Sequence, residues 1–127
     1  MDIQAYQDWM RGMYTFKPGD HLQYALLNLP GEVGELLSLF AKHTRDYPGP
    51  QPGDTEDQYY DALTRTEGNW EDNVLPAARK ELGDVLFMAV CLADALDMNA
   101  GDLIRENMEK LESRKNRGVL SGSGDTR

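Results

Sequence analysis

The chain has 127 residues and a formal net charge of −9, and this length fits one domain around one hydrophobic core. The negative charge argues against direct binding to nucleic acids or to an anionic membrane, but it is compatible with a phosphate ligand held through divalent cations. No apolar run reaches the roughly 18 residues of a transmembrane helix, and the N-terminus lacks the layout of a signal peptide.

The first part of the chain carries two helical patterns. Apolar residues at helical spacing between residues 2 and 13 predict a short amphipathic first helix. The stretch TFKPGD ends it, with Asp20 as the expected N-cap of the next helix. A second helix is predicted over residues 21–43, where apolar residues recur about every 3.6 positions. Pro30 lies inside that span, so we expect a kink or a fresh helical turn just before Gly31.

The middle of the chain is harder to interpret. Residues 44–57 are rich in Pro, Gly and Asp and predict a surface loop. Within residues 58–75, the stretch QYYDALTR predicts two helical turns, which EGNW then ends. We therefore treat residues 44–75 as a loop or insertion within a single domain that spans residues 1–127.

The last part of the chain predicts two further helices. The third begins near Pro76, since proline suits a first helical turn, and runs to about Asp97 through an apolar stretch. This stretch holds the single cysteine, Cys91, which we expect to be a buried thiol in the reducing cytoplasm. The fourth helix spans roughly residues 101–116 and ends at Gly118, followed by a flexible Gly/Ser-rich tail over residues 119–127.

The fold class predicted from these elements is all-α, because no alternating strand pattern is present. We expect a small bundle of four main helices. Four short helices with exposed apolar flanks make a thin core for a monomer, so we expect the chain to assemble as a homo-oligomer.

Two similar acidic phrases, GEVGEL at residues 31–36 and ELGDVL at residues 81–86, enter apolar helical segments. Each places two carboxylates three residues apart, hence side by side on one helix and at the edge of its apolar stripe. If the two helices pack through those stripes, four carboxylates meet at one rim of the interface: Glu32, Glu35, Glu81 and Asp84. Their mutual repulsion favours a hard divalent cation, with Mg²⁺ as the first choice and Mn²⁺ as the second.

Other interpretations of these acids stay open at this point. A single ExxE pattern is usually a solvated helix face, and it is the repetition of the phrase that favours a shared metal site. A di-iron bundle also uses four carboxylates, but it normally requires Glu-x-x-His pairs. Neither His21 nor His43 stands in such a pair, so iron is disfavoured.

The fourth predicted helix carries a polar row along one side. Asn107, Lys110 and Arg114 recur at helical spacing, and Leu103 and Leu111 lie on or next to that side, so we expect it to face the bundle. Amide, ammonium and guanidinium groups in a row suit phosphate oxygens, although basic residues at a helix C-terminus also complement the helix dipole. Carboxylates that hold Mg²⁺ beside such a row predict the hydrolysis of a phosphoanhydride.

Together these motifs resemble the MazG-like branch of the all-α nucleoside triphosphate pyrophosphohydrolases. The likeness rests on GEVGEL, on ELGDVLF and on NMEKLESRKNRG at residues 107–118. It implies Mg²⁺-dependent cleavage of nucleoside or deoxynucleoside triphosphates to monophosphate and pyrophosphate, by a homodimer or homotetramer that clears surplus nucleotides. The residue roles that it implies are metal ligation and catalysis by Glu32, Glu35, Glu81 and Asp84, and substrate contact by Asn107, Lys110 and Arg114.

The resemblance leaves alternatives and contains one departure. A phosphoribosyl-ATP pyrophosphohydrolase uses the same scaffold, and a non-enzymatic dimerisation or regulatory module would use the carboxylates for salt bridges. The segment between the two acidic phrases is longer than the family's usual spacer. Its aromatic residues Tyr59, Tyr60 and Trp70 either stack on a base or serve packing, and Trp9 is expected to pack within the first helix region and not to bind a base.

Overall fold

The computed structural model describes residues 1–46, 49, 51–64 and 74–119, and all regular secondary structure in these ranges is helical. This confirms the predicted all-α class. The helices follow one another as α1 (Ile3–Met10), α2 (His21–Asp46), α3 (Glu56–Thr64), α4 (Leu75–Ala95) and α5 (Ala100–Asn116). Within the described ranges, none of these helices has both the length and the apolar character that crossing a membrane requires.

Helices α2 and α4 form the centre of the fold and pack against each other more extensively than any other pair. Ala25 of α2 and Met88 and Cys91 of α4 lie in the core between them, together with Met10 of α1. The Cys91 thiol is buried, as the sequence predicted, and burial raises its pKa. Because the acidic phrases flank the apolar stripes that meet here, this helix pair determines where the carboxylates come together.

The two helical turns predicted for QYYDALTR are present as α3, so the described residues contain five helices and not the four main helices expected. A capping box starts this helix. The Gln58 backbone N–H donates to Thr55 Oγ1 over 3.3 Å, and the Thr55 N–H donates to Gln58 Oε1 over 2.9 Å. Glu56 and Asp57 add negative charge at the positive end of the helix dipole. Local capping therefore overrides the Pro/Gly/Asp-rich surroundings.

Helix α2 extends beyond its predicted end and continues through its proline. It runs without a break from His21 to Asp46, so no new helix starts at Gly31. The Tyr24 N–H donates to the backbone carbonyl of Asp20 over 2.8 Å, which makes Asp20 the residue that precedes the helix, as predicted.

The ends of the last two helices agree with the predictions. Pro76 stands in the first turn of α4. Gly118, just after α5, has a φ of 70°, the left-handed conformation that favours glycine at a helix C-terminus. The Val119 N–H donates to the Arg114 carbonyl over 2.9 Å and so completes this cap. The predicted tail beyond Val119 lies outside the described residues.

Asp94 near the C-terminal end of α4 anchors α1 and the segment that follows it. Arg11 donates to Asp94 Oδ1 through its Nε over 2.9 Å and through a terminal nitrogen over 2.7 Å, and the Tyr14 hydroxyl donates to Oδ2 over 3.0 Å. Burial works to raise the pKa of Asp94. The hydrogen bonds from Arg11 and Tyr14 outweigh it, so the pKa lies below the ordinary value of 3.8.

The amide of Gln7 provides a second anchor between α1 and the turn before α5. Gln7 is only 1% exposed, and its Nε2 donates to the backbone carbonyl of Met98 over 2.9 Å. Its Oε1 accepts the Ala100 N–H over 2.9 Å. Because a buried amide is costly unless both of its ends are bonded, these contacts fix the position of α1 closely.

Helix α5 is exposed along its middle turns. Ala100 is buried, but every residue from 102 to 113 is exposed, including Leu103 at 38% and Leu111 at 40%. The expectation that this side of the helix faces the chain's own bundle is therefore wrong for the middle turns, whereas Arg114 near the end of the helix is buried. The physical reason is that α5 packs only slightly on α1 and α4, so its middle apolar side chains reach no core in the part of the chain that the structure describes.

Candidate metal centre

The two acidic phrases meet across the interface between α2 and α4. Oxygen atoms of Glu32 on α2 and of Glu81 and Asp84 on α4 lie within 4.8 Å of one another. Glu32 and Glu81 are half-buried, whereas Asp84 is exposed. The structure thus brings together three of the four carboxylates that the sequence predicted to converge. We call Glu32, Glu81 and Asp84 the acidic trio.

Glu35 lies close to the acidic trio without being one of its members. It stands one helical turn after Glu32 and its side chain is exposed. Its charge contributes to raising the pKa of Glu32. Its predicted place among the metal ligands stays a prediction.

Negative charge is crowded at the acidic trio. The pKa of Glu32 is raised above its ordinary value of 4.5, first by desolvation and then by the charges of Glu35, Asp84 and Glu81. Among the described residues, no arginine or lysine forms an ion pair with any member of the trio. A divalent cation would relieve this repulsion, because it supplies positive charge that no ion pair among the described residues brings to the trio.

The donor atoms fit a hard divalent cation. All three donors of the trio are carboxylate oxygens, the type of ligand that Mg²⁺ and Mn²⁺ prefer. With Mg–O distances of about 2.1 Å, two ligands of one ion lie at most about 4.2 Å apart. At most one pair among three ligands can be opposite, and neighbouring ligands of an octahedral ion lie only about 3.0 Å apart, so the oxygens of the trio would have to draw closer together to hold Mg²⁺ directly. The other positions of its octahedral shell then remain for water and phosphate oxygens.

Gly34 and Gly83 leave open space beside the carboxylates. A Cβ atom added at either glycine would meet no other atom within 4 Å, so packing does not demand glycine there. Glycine inside a helix costs about 1 kcal/mol relative to alanine. Gly34 and Gly83 therefore lower the stability of their helices, and they do so at positions where a ligand would need access to the trio.

The predicted phosphate contacts lie on α5 in two different environments. Asn107 and Lys110 are exposed on the middle turns of the helix. Arg114, near its end, is only 6% exposed. Contact of these three side chains with a substrate stays a prediction.

Sequence reasoning missed the part that α1 takes in this region. Tyr6 packs against the core between α2 and α4, and its ring stacks on Trp9 with 5.7 Å between centroids. Burial raises the pKa of Tyr6, and the negative charge of Asp84 adds to the effect, so this phenol is within electrostatic reach of the trio. Helical spacing within residues 2–13 predicted the helix but carried no signal for its place beside the acids.

The described aromatic residues that the sequence linked to base stacking or packing are found on α3 and on α1. Tyr59 and Tyr60 are exposed on α3, at 53% and 47%. Trp70 lies outside the described residues. Trp9 does pack within the first helix region, as predicted, and is 50% exposed.

Comparisons with known proteins identify relatives of the chain. The family model described as the MazG nucleotide pyrophosphohydrolase domain matches residues 21–119, a span that includes all the predicted site residues. Gene 37 protein of Mycobacterium phage L5 is 35% identical over 106 residues, which cover 84% of this chain and 76% of that protein. No solved structure matches the chain significantly.

Proposed function

Because the chain belongs to the MazG nucleotide pyrophosphohydrolase family, we propose that it hydrolyses nucleoside or deoxynucleoside triphosphates to monophosphate and pyrophosphate. Mg²⁺ is the proposed cofactor, and Mn²⁺ is its substitute. The main support for this proposal is the acidic trio, in which α2 and α4 place carboxylate oxygens within 4.8 Å of one another. The proposed role in the cell is the clearance of surplus or non-standard nucleotides.

Each predicted site residue has a defined part in this proposal. Glu32, Glu81 and Asp84 hold the cation, which when bound supplies positive charge to the reacting phosphate. Glu35 is the neighbouring carboxylate that accepts a proton from the attacking water. The water oxygen bonds to the α-phosphorus, the bond between the α- and β-phosphates breaks, and pyrophosphate leaves. Asn107, Lys110 and Arg114 donate hydrogen bonds to phosphate oxygens.

Product analysis over a substrate panel tests the reaction. Each of the eight common nucleoside and deoxynucleoside triphosphates is incubated with the protein and Mg²⁺. We expect equal amounts of monophosphate and pyrophosphate from the accepted substrates. Release of orthophosphate would contradict the proposed reaction type. Phosphoribosyl-ATP belongs in the same panel. Faster cleavage of it than of every triphosphate would favour the alternative that the chain is a phosphoribosyl-ATP pyrophosphohydrolase.

The non-enzymatic alternative has its own discriminating measurement. A dimerisation or regulatory module would show no turnover of any substrate in the panel. It would also show no change in melting temperature when Mg²⁺ and a nucleotide are added together, because neither would bind its folded form. Both results together would replace the enzymatic proposal with this one.

The proposal includes assembly into a homodimer or homotetramer in the cytoplasm. Support comes from apolar side chains of α5 that are exposed in the single chain: Leu103, Ile104, Met108 and Leu111. Light scattering is expected to give two or four times the 14.3 kDa mass of one chain. A mass of one chain at all concentrations measured would contradict the assembly.

A further inference from the structure

Helix α2 carries its two least helix-compatible residues directly before Glu32. Pro30 lies inside the helix, two positions before this carboxylate, and Gly31 lies between them. Proline has no N–H, so the carbonyl of Leu26 loses its intrahelical donor, and proline and glycine are the least favourable residues in a helix interior. A Cβ atom added at Gly31 would meet no atom outside its own stretch of helix within 4 Å, so packing does not require glycine there.

The packing of α2 holds the helix on either side of this weak point. Among the residues of α2, all of which the structure describes, only Ala25 and His43 are buried. Ala25 belongs to the core cluster, whereas Glu32 is half-buried and Pro30 and Gly31 are exposed. The stretch that bears Glu32 is thus less constrained than the stretch before it, and proline, where helices bend most readily, lies between the two.

The acidic trio needs a movement at this point to hold an ion. Its oxygens lie within 4.8 Å of one another, whereas neighbouring ligands of an octahedral Mg²⁺ lie only about 3.0 Å apart. Glu81 and Asp84 lie together on α4. Met88 and Cys91, further along that helix, belong to the core and hold it in place. Glu32 is the member on the other helix, so a bend of α2 changes its distance to both of the others.

We propose that Pro30 and Gly31 form a hinge in α2, and that a bend at this hinge brings Glu32 towards the rest of the acidic trio when a divalent cation binds. The inference rests on the proposed function and adds the movement that completes its metal site. Without the ion, the straighter helix keeps the negative charges further apart and so reduces their repulsion. Pro30 and Gly31 are positioning residues, because they act through Glu32.

A thermodynamic cycle gives the expected size of the effect. Alanine stabilises a straight helix relative to glycine, but this advantage is lost where the helix bends to bind the ion, so ion binding weakens by the corresponding factor. For Gly31→Ala we expect the melting temperature without ion to rise by roughly 2–5 °C and the dissociation constant of the ion to rise about fivefold. Pro30→Ala also restores a donor to the Leu26 carbonyl, so both of its effects should be larger.

Binding of Mn²⁺, measured by electron paramagnetic resonance, tests the hinge without any hydrolysis. The signal of the free ion is lost on binding, and no nucleotide is added. Thr44→Ala is the matched control, because Thr44 is exposed near the C-terminal end of α2 and alanine is the better helix former. It should raise the melting temperature slightly and leave the dissociation constant of Mn²⁺ unchanged.

Opposite changes in the two measurements would support the hinge, namely a higher melting temperature without ion and weaker binding of Mn²⁺. Binding of Mn²⁺ by Pro30→Ala and Gly31→Ala that is as tight as in the unsubstituted protein, or tighter, would overturn it. So would a lower melting temperature of either variant, or equally weakened binding in Thr44→Ala. Failure of the unsubstituted protein to bind Mn²⁺ would instead refute the proposed metal site, and the hinge with it.

Discussion

Replacement of Asp84 by asparagine is expected to abolish pyrophosphate release and leave the helices intact. Asparagine keeps the size of the side chain but removes a negative oxygen from the acidic trio, where it faces Glu32 and Glu81. A metal ion contributes several kcal/mol to transition-state stabilisation, so we expect kcat/KM to fall at least roughly a thousandfold, or about 4 kcal/mol. Measurement of kcat/KM for the best triphosphate of the panel checks this.

Thermal melting of the same variant separates metal binding from folding. Without divalent cations, Asp84→Asn should melt no lower than the unsubstituted protein, because it relieves repulsion within the trio. Added Mg²⁺ should raise the melting temperature of the unsubstituted protein, as any ligand of the folded form does, and raise that of the variant less.

A control for Asp84→Asn is available on the same stretch of chain. Asp97, just beyond α4, has a φ of 58°, a conformation that asparagine also adopts readily. Asp97→Asn makes the same chemical change away from the trio and should keep full activity. Turnover retained in Asp84→Asn, or lost equally in both variants, would contradict a specific role for the trio.

Removal of the Asp94 carboxylate should cause the largest loss of stability. Asp94→Ala takes the acceptor from Arg11, from the Tyr14 hydroxyl and from Gln7, which donates to it over 3.3 Å. Hydrogen bonds to a charged group contribute about 1.5–3 kcal/mol, and partly buried donors left without an acceptor add to the cost. We expect the free energy of unfolding in urea to fall by about 3 kcal/mol, a large share of the usual 5–15 kcal/mol.

The exposed carboxylate of Asp8 serves as the control for Asp94. It binds the same guanidinium over 2.9 Å, but its side chain is 57% exposed, so Asp8→Ala should cost less than about 1 kcal/mol. An equal loss of stability in Asp94→Ala and Asp8→Ala would show that the hydrogen bonds to Asp94 are not what anchors α1.

The stability that Asp94 provides should depend on pH in one direction. Its pKa in the folded state lies below the ordinary value of 3.8, so the unfolded chain binds the proton more readily. The contribution is therefore complete above pH values around this ordinary pKa and is lost as the pH falls through the lower, folded-state pKa. The stability difference between the unsubstituted protein and Asp94→Ala should shrink as the pH falls below the ordinary value of 3.8, and a difference that grew there would contradict this origin.

The sequence predicts those features that depend on neighbouring residues. The apolar stripes of α2 and α4 and the carboxylates at their edges follow from helical spacing alone, and their meeting required only that the stripes face each other. The helical turns of α3 were predicted from QYYDALTR, but its start at Glu56 was not, although Thr55 and Gln58 form a recognisable capping box.

Features that depend on distant residues were beyond the sequence. Gln7 and Asp94 bond to each other across 87 positions, and no local pattern pairs them. The electrostatic effect of Asp84 on the pKa of Tyr6 depends on that anchoring of α1 and was equally hidden. The prediction that the apolar face of α5 turns towards the bundle failed for a related reason. Helical periodicity shows that apolar side chains need a surface to pack against, but it does not show which surface that is.

Because the acidic trio joins α2 to α4, the affinity for the proposed ion should depend on how firmly those two helices are docked. A substitution that loosens this docking away from the donor atoms, such as one at Ala25 or Met88 in the core, should weaken the proposed retention of magnesium. The coupling also acts in reverse, since a bound ion ties the two helices together and reduces the population of opened chains. Proteases cleave opened chains, so the lifetime of the protein should lengthen with the supply of magnesium and nucleotide.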